Sequence, residues 1–296
     1  MSLRGAQATL DRSMMTHLDV LREALNAPCI CDGRAVPAWE QILTLNGHNV
    51  MAYCESVYQA FAAGGGKGFA HLYIGEPSSG KTALTRALLE LFGDKAFVKP
   101  QAGTSFALEG LIGADALIWN DFRWPNPPLA WNDLLNVLDN EPFQIGVPKT
   151  DGQKDYRWNS KGNEGVVAFL TTNVPIVYVK GDRVDHEETK AFNERFGENV
   201  YMFRERLPNP DRRYKQWCRC YGCWARWVCK NAQSFCAPCI NAGSARPREA
   251  ATAADLLASP AIKSPPRQKQ RLEGQASDSA AAPILPSIPR TCNYIK

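Results

Sequence analysis

The sequence predicts an α/β nucleotide-binding fold with a mainly parallel sheet, preceded by a small helical region and followed by a cysteine-rich segment. Three observations carry this. Gly75-Glu76-Pro77-Ser78-Ser79-Gly80-Lys81-Thr82 fits the phosphate-loop pattern G-x-x-x-x-G-K-[ST] at every required position. The apolar run at 69–74 reads as a buried strand, and the Ala- and Leu-rich run at 83–92 reads as a helix. From Lys67 to about Pro208, short apolar runs keep alternating with helical patterns, as in strands joined by crossover helices.

Taken in order, residues 14–27 place Met15, Leu18, Leu21 and Leu25 at helical spacing. A second helical stretch, 49–62, ends before Gly64-Gly65-Gly66. Cys29 and Cys31, between them, read as two free thiols in a loop. The strands expected next are 69–74, 96–98, 114–119, 165–171 and 200–203. The predicted domains are therefore an N-terminal helical region (1–66), the nucleotide-binding domain (67–208), a cysteine-rich segment (209–243) and a tail (244–296). The tail is rich in Ala, Pro and Ser and lacks sustained periodicity, so it reads as disordered, with a short helix at 251–257.

Composition excludes some classes. With 296 residues, 45% hydrophobic and 22% charged, the chain has the make-up of a globular protein. A net charge of +4 does not by itself demand a nucleic-acid partner. No apolar run approaches the ~18 residues of a membrane span, and the segment from Met1 to Ser13 lacks the apolar core of a secretory signal. The expectation is an intracellular protein, in nucleus or cytoplasm, whose clustered cysteines hold metal rather than form disulfides.

The phosphate loop assigns chemistry. Backbone N–H groups between a strand and a helix start converge on an anion at the positive end of a helix dipole. Lys81 would neutralise the β/γ phosphates of ATP, and the Thr82 hydroxyl would ligate Mg²⁺. The strand at 115–121 ends in Asn120-Asp121, where a carboxylate can reach that metal or orient the attacking water. The run Val166-Val167-Ala168-Phe169-Leu170-Thr171-Thr172-Asn173 ends in an amide that can hold the water in line with the γ-phosphate.

With these three motifs, and with Trp131-Asn132-Asp133-Leu134-Leu135 followed by Pro142-Phe143 and Val147-Pro148-Lys149, the chain resembles the superfamily 3 helicases. It is most similar to the helicase half of replication-initiator (Rep) proteins of circular single-stranded DNA viruses, over about residues 47–208. The resemblance implies an AAA+-like, three-layer ATPase that assembles as a hexameric ring and moves along single-stranded DNA or RNA. It also implies that the hairpin carrying Lys149, Lys154, Tyr156, Arg157, Trp158 and Lys161 lines the ring pore; cations beside aromatic faces suit single strands. In Phe192-Asn193-Glu194-Arg195-Phe196 it assigns Arg195 as the arginine given to a neighbour's nucleotide, with Arg204 and Arg206 as rivals.

Two departures stand out. The family places two acidic residues at the second motif; here the first is Asn120, which leaves Asp121 to serve alone. Rep proteins also carry a nicking domain with a His-hydrophobe-His motif, a spacing that His17, His48, His71 and His186 never make. The expectation is a domesticated, truncated or helicase-only relative. The alternative is a nucleotide-binding scaffold with weakened hydrolysis. A plain kinase fits less well, because it has no use for Asn173 or the basic hairpin.

The last motif is Cys220-x-x-Cys223 with Cys236-x-x-Cys239, paired thiolates of the kind that wrap a tetrahedral Zn²⁺. Cys218 and Cys229 leave the ligand set open. Trp217, Trp224 and Trp227, set among Arg212, Arg213, Lys215, Arg219, Arg226 and Lys230, suit a nucleic-acid or partner surface.

Overall fold

Thr16 starts the first helix. Its hydroxyl accepts from the Asp19 N–H and the Asp19 carboxylate accepts from the Thr16 N–H, a reciprocal capping box that opens α1 (His17–Ala24). The computed structural model describes residues 15–99, 106–124, 129–147, 155–159, 165–206 and 214–234. The 244–296 tail and its expected helix lie outside them. α2 (Ala35–Leu45) was not among the expected elements. Its buried face is Ala35, Trp39, Ile42 and Leu43, at helical spacing, and Pro37 sits in the first turn, where proline is tolerated. α3 (Val50–Ala63) is capped by the Asn49 side chain and stops at Gly64 in the left-handed region, close to the expected 49–62.

The α/β part follows. β1 (His71–Gly75) leads through the phosphate loop into α4 (Lys81–Phe92). Next come β2 (Ala96–Phe97), β3 (Ala116–Trp119), α5 (Trp131–Asp139) and a hairpin of β4 (Phe143–Ile145) with β5 (Tyr156–Trp158). Then β6 (Val167–Thr172), a small hairpin of β7 (Val179–Lys180) with β8 (Arg183–Val184), α6 (His186–Glu194) and β9 (Val200–Phe203) complete it. Two helices close the described chain, α7 (Tyr214–Trp217) and α8 (Tyr221–Asn231).

Five strands form one sheet in the order β2-β3-β6-β1-β9, and every pairing in it is parallel. Period-two alternation builds a core on each face. Tyr73, Ala116, Ile118, Val167, Phe169 and Phe203 pack into the cluster with α1 to α4 and α8. Leu72, Ile74, Leu117, Trp119, Ala168 and Leu170 pack into the other, with α5, Phe192 of α6, Phe196 beyond it and Trp158. The protein is thus a three-layer α/β structure. Among the described residues no helix is long and apolar enough to cross a membrane.

The structure corrects one expectation about the flanking regions and extends another. Residues 214–234 do not stand apart as a module, because α8 packs on α1, α2, α3 and α4 in the same core. Trp224 and Trp227 are buried there, so they offer no surface to a nucleic acid; Trp217 is half-buried, with the Arg34 guanidinium 5.2 Å from its ring centroid. Cys29 and Cys31 are free thiols in the loop after α1, as expected, but they adjoin a distant segment. Cys31 is buried, and Cys29 Sγ lies 3.3 Å from Cys223 Sγ at the start of α8.

Candidate nucleotide site

Because the strands run parallel, their C-terminal ends share one edge, the place where open α/β sheets hold ligands. Three chain segments meet there. β1 delivers the phosphate loop, β3 delivers Asn120 and Asp121, and β6, hydrogen-bonded between them, delivers Asn173.

The loop depends on two glycines. Gly75 has φ 151°, and a Cβ there would come within 1.7 Å of the Phe203 carbonyl oxygen on β9. Gly80, the residue before α4, has φ 95°, and a Cβ there would come within 2.8 Å of Ile42 on α2. Any other residue would move the loop or its neighbours. Ser79 Oγ donates to the Glu76 carbonyl at 2.8 Å, which braces the loop around Pro77 and Ser78. The Lys81 ammonium donates to the carbonyls of Gly75 at 2.6 Å and Glu76 at 2.7 Å, and the side chain is buried. Burial pushes its pKa down, while Asp121 and Glu76 oppose that shift with their charges. Thr82, one residue on, is exposed at the first turn of α4.

Asn120 and Asp121 do different things. The Asn120 side-chain oxygen accepts from the Thr85 hydroxyl of α4 at 2.9 Å, with the Thr171 hydroxyl at 3.5 Å. It therefore ties β3 to α4 and β6. Asp121 adopts φ 61° and is exposed; its N–H donates to Thr171 Oγ1 at 3.0 Å. That turn directs the carboxylate to Asn173, whose amide donates to Asp121 Oδ1 at 3.3 Å. Thr85 escaped the motif reading, as an ordinary residue in an apolar run, and Thr171 was read only as part of the run that ends at Asn173.

Arg195 has a task inside its own chain. Its guanidinium pairs with Asp139 of α5 at 2.7 Å, both side chains being only 14% exposed. It also donates to the Ala191 carbonyl. In this chain, then, the Arg195 guanidinium is engaged by its own α5 and α6. Its rivals are closer to the loop. The side chain of Asn46, after α2, accepts from the backbone N–H groups of Arg204 at 2.8 Å and Glu205 at 2.9 Å. Arg206 faces Glu76 of the phosphate loop at 3.8 Å, with both side chains largely exposed. No motif marks Asn46; its role comes from where α2 ends.

The pore-hairpin expectation divides. Arg157 is exposed on β5, paired in register with Gln144. Trp158 is 1% exposed and packs edge-on against Phe143, with ring centroids 5.5 Å apart, so it is a core residue and cannot stack on bases. Lys149, Lys154 and Lys161 lie outside the described residues, as do Cys236 and Cys239.

No protein-family model matches the chain, and no curated protein matches it. Solved structures do. The NrS-1 C-terminal region is similar at a TM-score of 0.45 and 12% identity, over 69% of this chain and 48% of that one. The JCV helicase is similar at a TM-score of 0.40 and 16% identity, over 80% of this chain and 68% of that one. The same helicase bound to N-(4-(2-(thiazolo[5,4-c]pyridin-2-yl)phenoxy)phenyl)acetamide is similar at a TM-score of 0.42 and 16% identity. This chain thus spans about half the length of the NrS-1 region it matches.

Proposed function

We propose that the chain is an ATP-dependent helicase or translocase acting on single-stranded DNA or RNA. The observation that carries the reading is the meeting, at one sheet edge, of the loop Gly75–Thr82 with Asp121 and Asn173. The loop's N–H groups and Lys81 bind the phosphates. Lys81 would exchange the Gly75 and Glu76 carbonyls for phosphate oxygens to do so. Thr82 and Asp121 offer hard oxygen donors, which fit Mg²⁺; the ion would neutralise charge on the β- and γ-phosphates. Asp121 and Asn173, already hydrogen-bonded to each other, orient the attacking water. Asn120 holds β3 against α4 and takes no part in the proton chemistry.

The neighbouring subunit of a ring would supply an arginine to the same phosphates. Arg206, which faces Glu76 of its own loop, would sit beside the nucleotide of its own subunit. The face bearing Arg157 would meet the nucleic acid. ATP turnover by the purified chain, with and without single-stranded DNA or RNA, tests the proposal. Turnover that rises on adding single strands, and rises again with protein concentration as rings form, is the expected result. Tight ATP binding with no turnover under any of these conditions would refute it.

A further inference from the structure

Behind α4, away from the nucleotide edge, four sulfur atoms converge. Cys29, Cys31, Cys220 and Cys223 place their sulfurs all within 4.8 Å of one another. Cys29 and Cys31 are 3.7 Å apart, Cys31 and Cys223 3.7 Å, and Cys29 and Cys223 3.3 Å. A tetrahedral tetrathiolate site with Zn–S bonds of about 2.3 Å has sulfur–sulfur edges of about 3.8 Å. An iron–sulfur cluster, which carries its cysteines on separate irons, would hold them further apart.

N–H donors and one guanidinium line the cluster. The N–H groups of Cys31 and Gly33 point at Cys29 Sγ, and the Ala35 N–H points at Cys31 Sγ. The Ile30 N–H donates to Cys220 Sγ at 3.4 Å, across 190 residues of sequence. Arg226 Nη2 lies 3.5 Å from Cys223 Sγ, while its Nη1 donates to the Leu25 and Ala27 carbonyls at 2.8 and 2.9 Å. Each sulfur therefore meets a donor or a cation. Gly222, between two of the cysteines, permits the approach: a Cβ there would come within 2.7 Å of the Ala27 carbonyl oxygen.

We propose that Cys29, Cys31, Cys220 and Cys223 bind one structural Zn²⁺, which clamps the loop after α1 to the start of α8. All-thiolate donors in a closed tetrahedron select zinc over hard cations. The ligand set replaces the one expected from spacing alone, since half of it comes from the segment that read as a loop with free thiols. An ion joining chain segments this far apart closes a long loop, where a cross-link removes most entropy from the unfolded chain.

Elemental analysis of the full chain, purified under reductant and without chelator, should find about one zinc per chain. Differential alkylation of the native protein, read by mass spectrometry, should show Cys29, Cys31, Cys220 and Cys223 protected together and released together on chelation. Cys29→Ser and Cys220→Ser should lose the metal, while Cys236→Ser and Cys239→Ser keep it. Because a serine variant can fail to fold, the alkylation pattern of the unaltered protein decides. Four reactive thiols with no metal, iron in place of zinc, a Cys29–Cys223 disulfide, or zinc that protects Cys236 and Cys239 instead would each overturn the proposal.

Discussion

The sheet edge that carries the phosphate loop and the helical layer behind α4 are built from different kinds of sequence information. At the edge, eight consecutive residues form the loop, and two strand ends complete the site. In the layer behind, contacts join distant segments. Trp39 of α2 donates to the Ala83 carbonyl of α4 at 3.1 Å and packs on Trp227 of α8, with ring centroids 5.6 Å apart; Tyr53 of α3 lies 5.9 Å from the same Trp227 ring. The charged side chains at the edge, Lys81 and Asp121, bond to the loop and to a strand end. The layer behind works as a unit, because each of its residues is held by several elements.

The sharpest test of that contrast is Lys81→Ala. Turnover should fall on the order of 10³-fold, as when a positioned cationic or hydrogen-bonding partner of the transition state is removed. The melting temperature should stay near that of the unaltered protein, since the polar partners of Lys81 are two carbonyls and the Ser79 hydroxyl of its own loop. A collapse in melting temperature would show that edge and layer are not separable.

Next in size is the pair at the end of β3. Asp121→Asn should lower turnover about 10²-fold, because it removes the carboxylate that faces Lys81 and Asn173. Asn120→Asp should change turnover little, since the Thr85 hydroxyl can donate to either side chain. Steady-state kinetics of both variants checks this; a strong gain from Asn120→Asp would make Asn120 a lesion in the active centre instead of a joint.

Legibility followed the same division. The phosphate loop, the parallel sheet and the strand ends at Asp121 and Asn173 could be read because period-two runs and a contiguous motif are local signals. Three things could not. α2 hid because Pro37 reads as a breaker and because Val36, Ala38 and Leu45, apolar but off the buried face of Ala35, Trp39, Ile42 and Leu43, blur its stripe. The partnership of Cys29 and Cys31 with Cys220 and Cys223 hid because nothing in the spacing of either pair points to the other. Trp158 was misread because alternation along β5 puts Arg157 outside and Trp158 inside, a phase that composition does not reveal. The Arg195–Asp139 pair was not legible either, because 56 residues separate its partners.

Ile42 is where the two regions touch, its side chain filling the space beside Gly80. Ile42→Ala should cost about 2–4 kcal/mol of stability as a buried cavity, seen as an earlier denaturant midpoint. At temperatures where the variant is folded, KM for ATP should rise several-fold more than kcat falls, because the loop loses its backing. An unchanged KM would show that the layer behind supports folding alone.

The smallest expected effect lies inside β1, four residues from the loop. His71 is fully buried, with Ser56 Oγ 3.1 Å from Nε2, and its ring stacks on Phe169 at 4.8 Å. Burial pushes its pKa down from 6.5 to about 3. Above pH 6.5 the imidazole is neutral in folded and unfolded chains and pH has no leverage through it. Below 6.5 the unfolded chain takes up a proton that the folded chain refuses, so stability falls as pH falls, until the folded state also binds the proton near pH 3. The slope approaches ~1.4 kcal/mol per pH unit, and the loss at pH 6 is about 0.8 kcal/mol. His71→Phe keeps the stacking and removes the proton site. Its denaturation free energy should therefore fall less steeply between pH 7 and pH 5 than that of the unaltered protein, whatever the offset at neutral pH. Identical slopes would mean that the folded protein admits the proton, and that the layer packed over β1 is looser than its contacts imply.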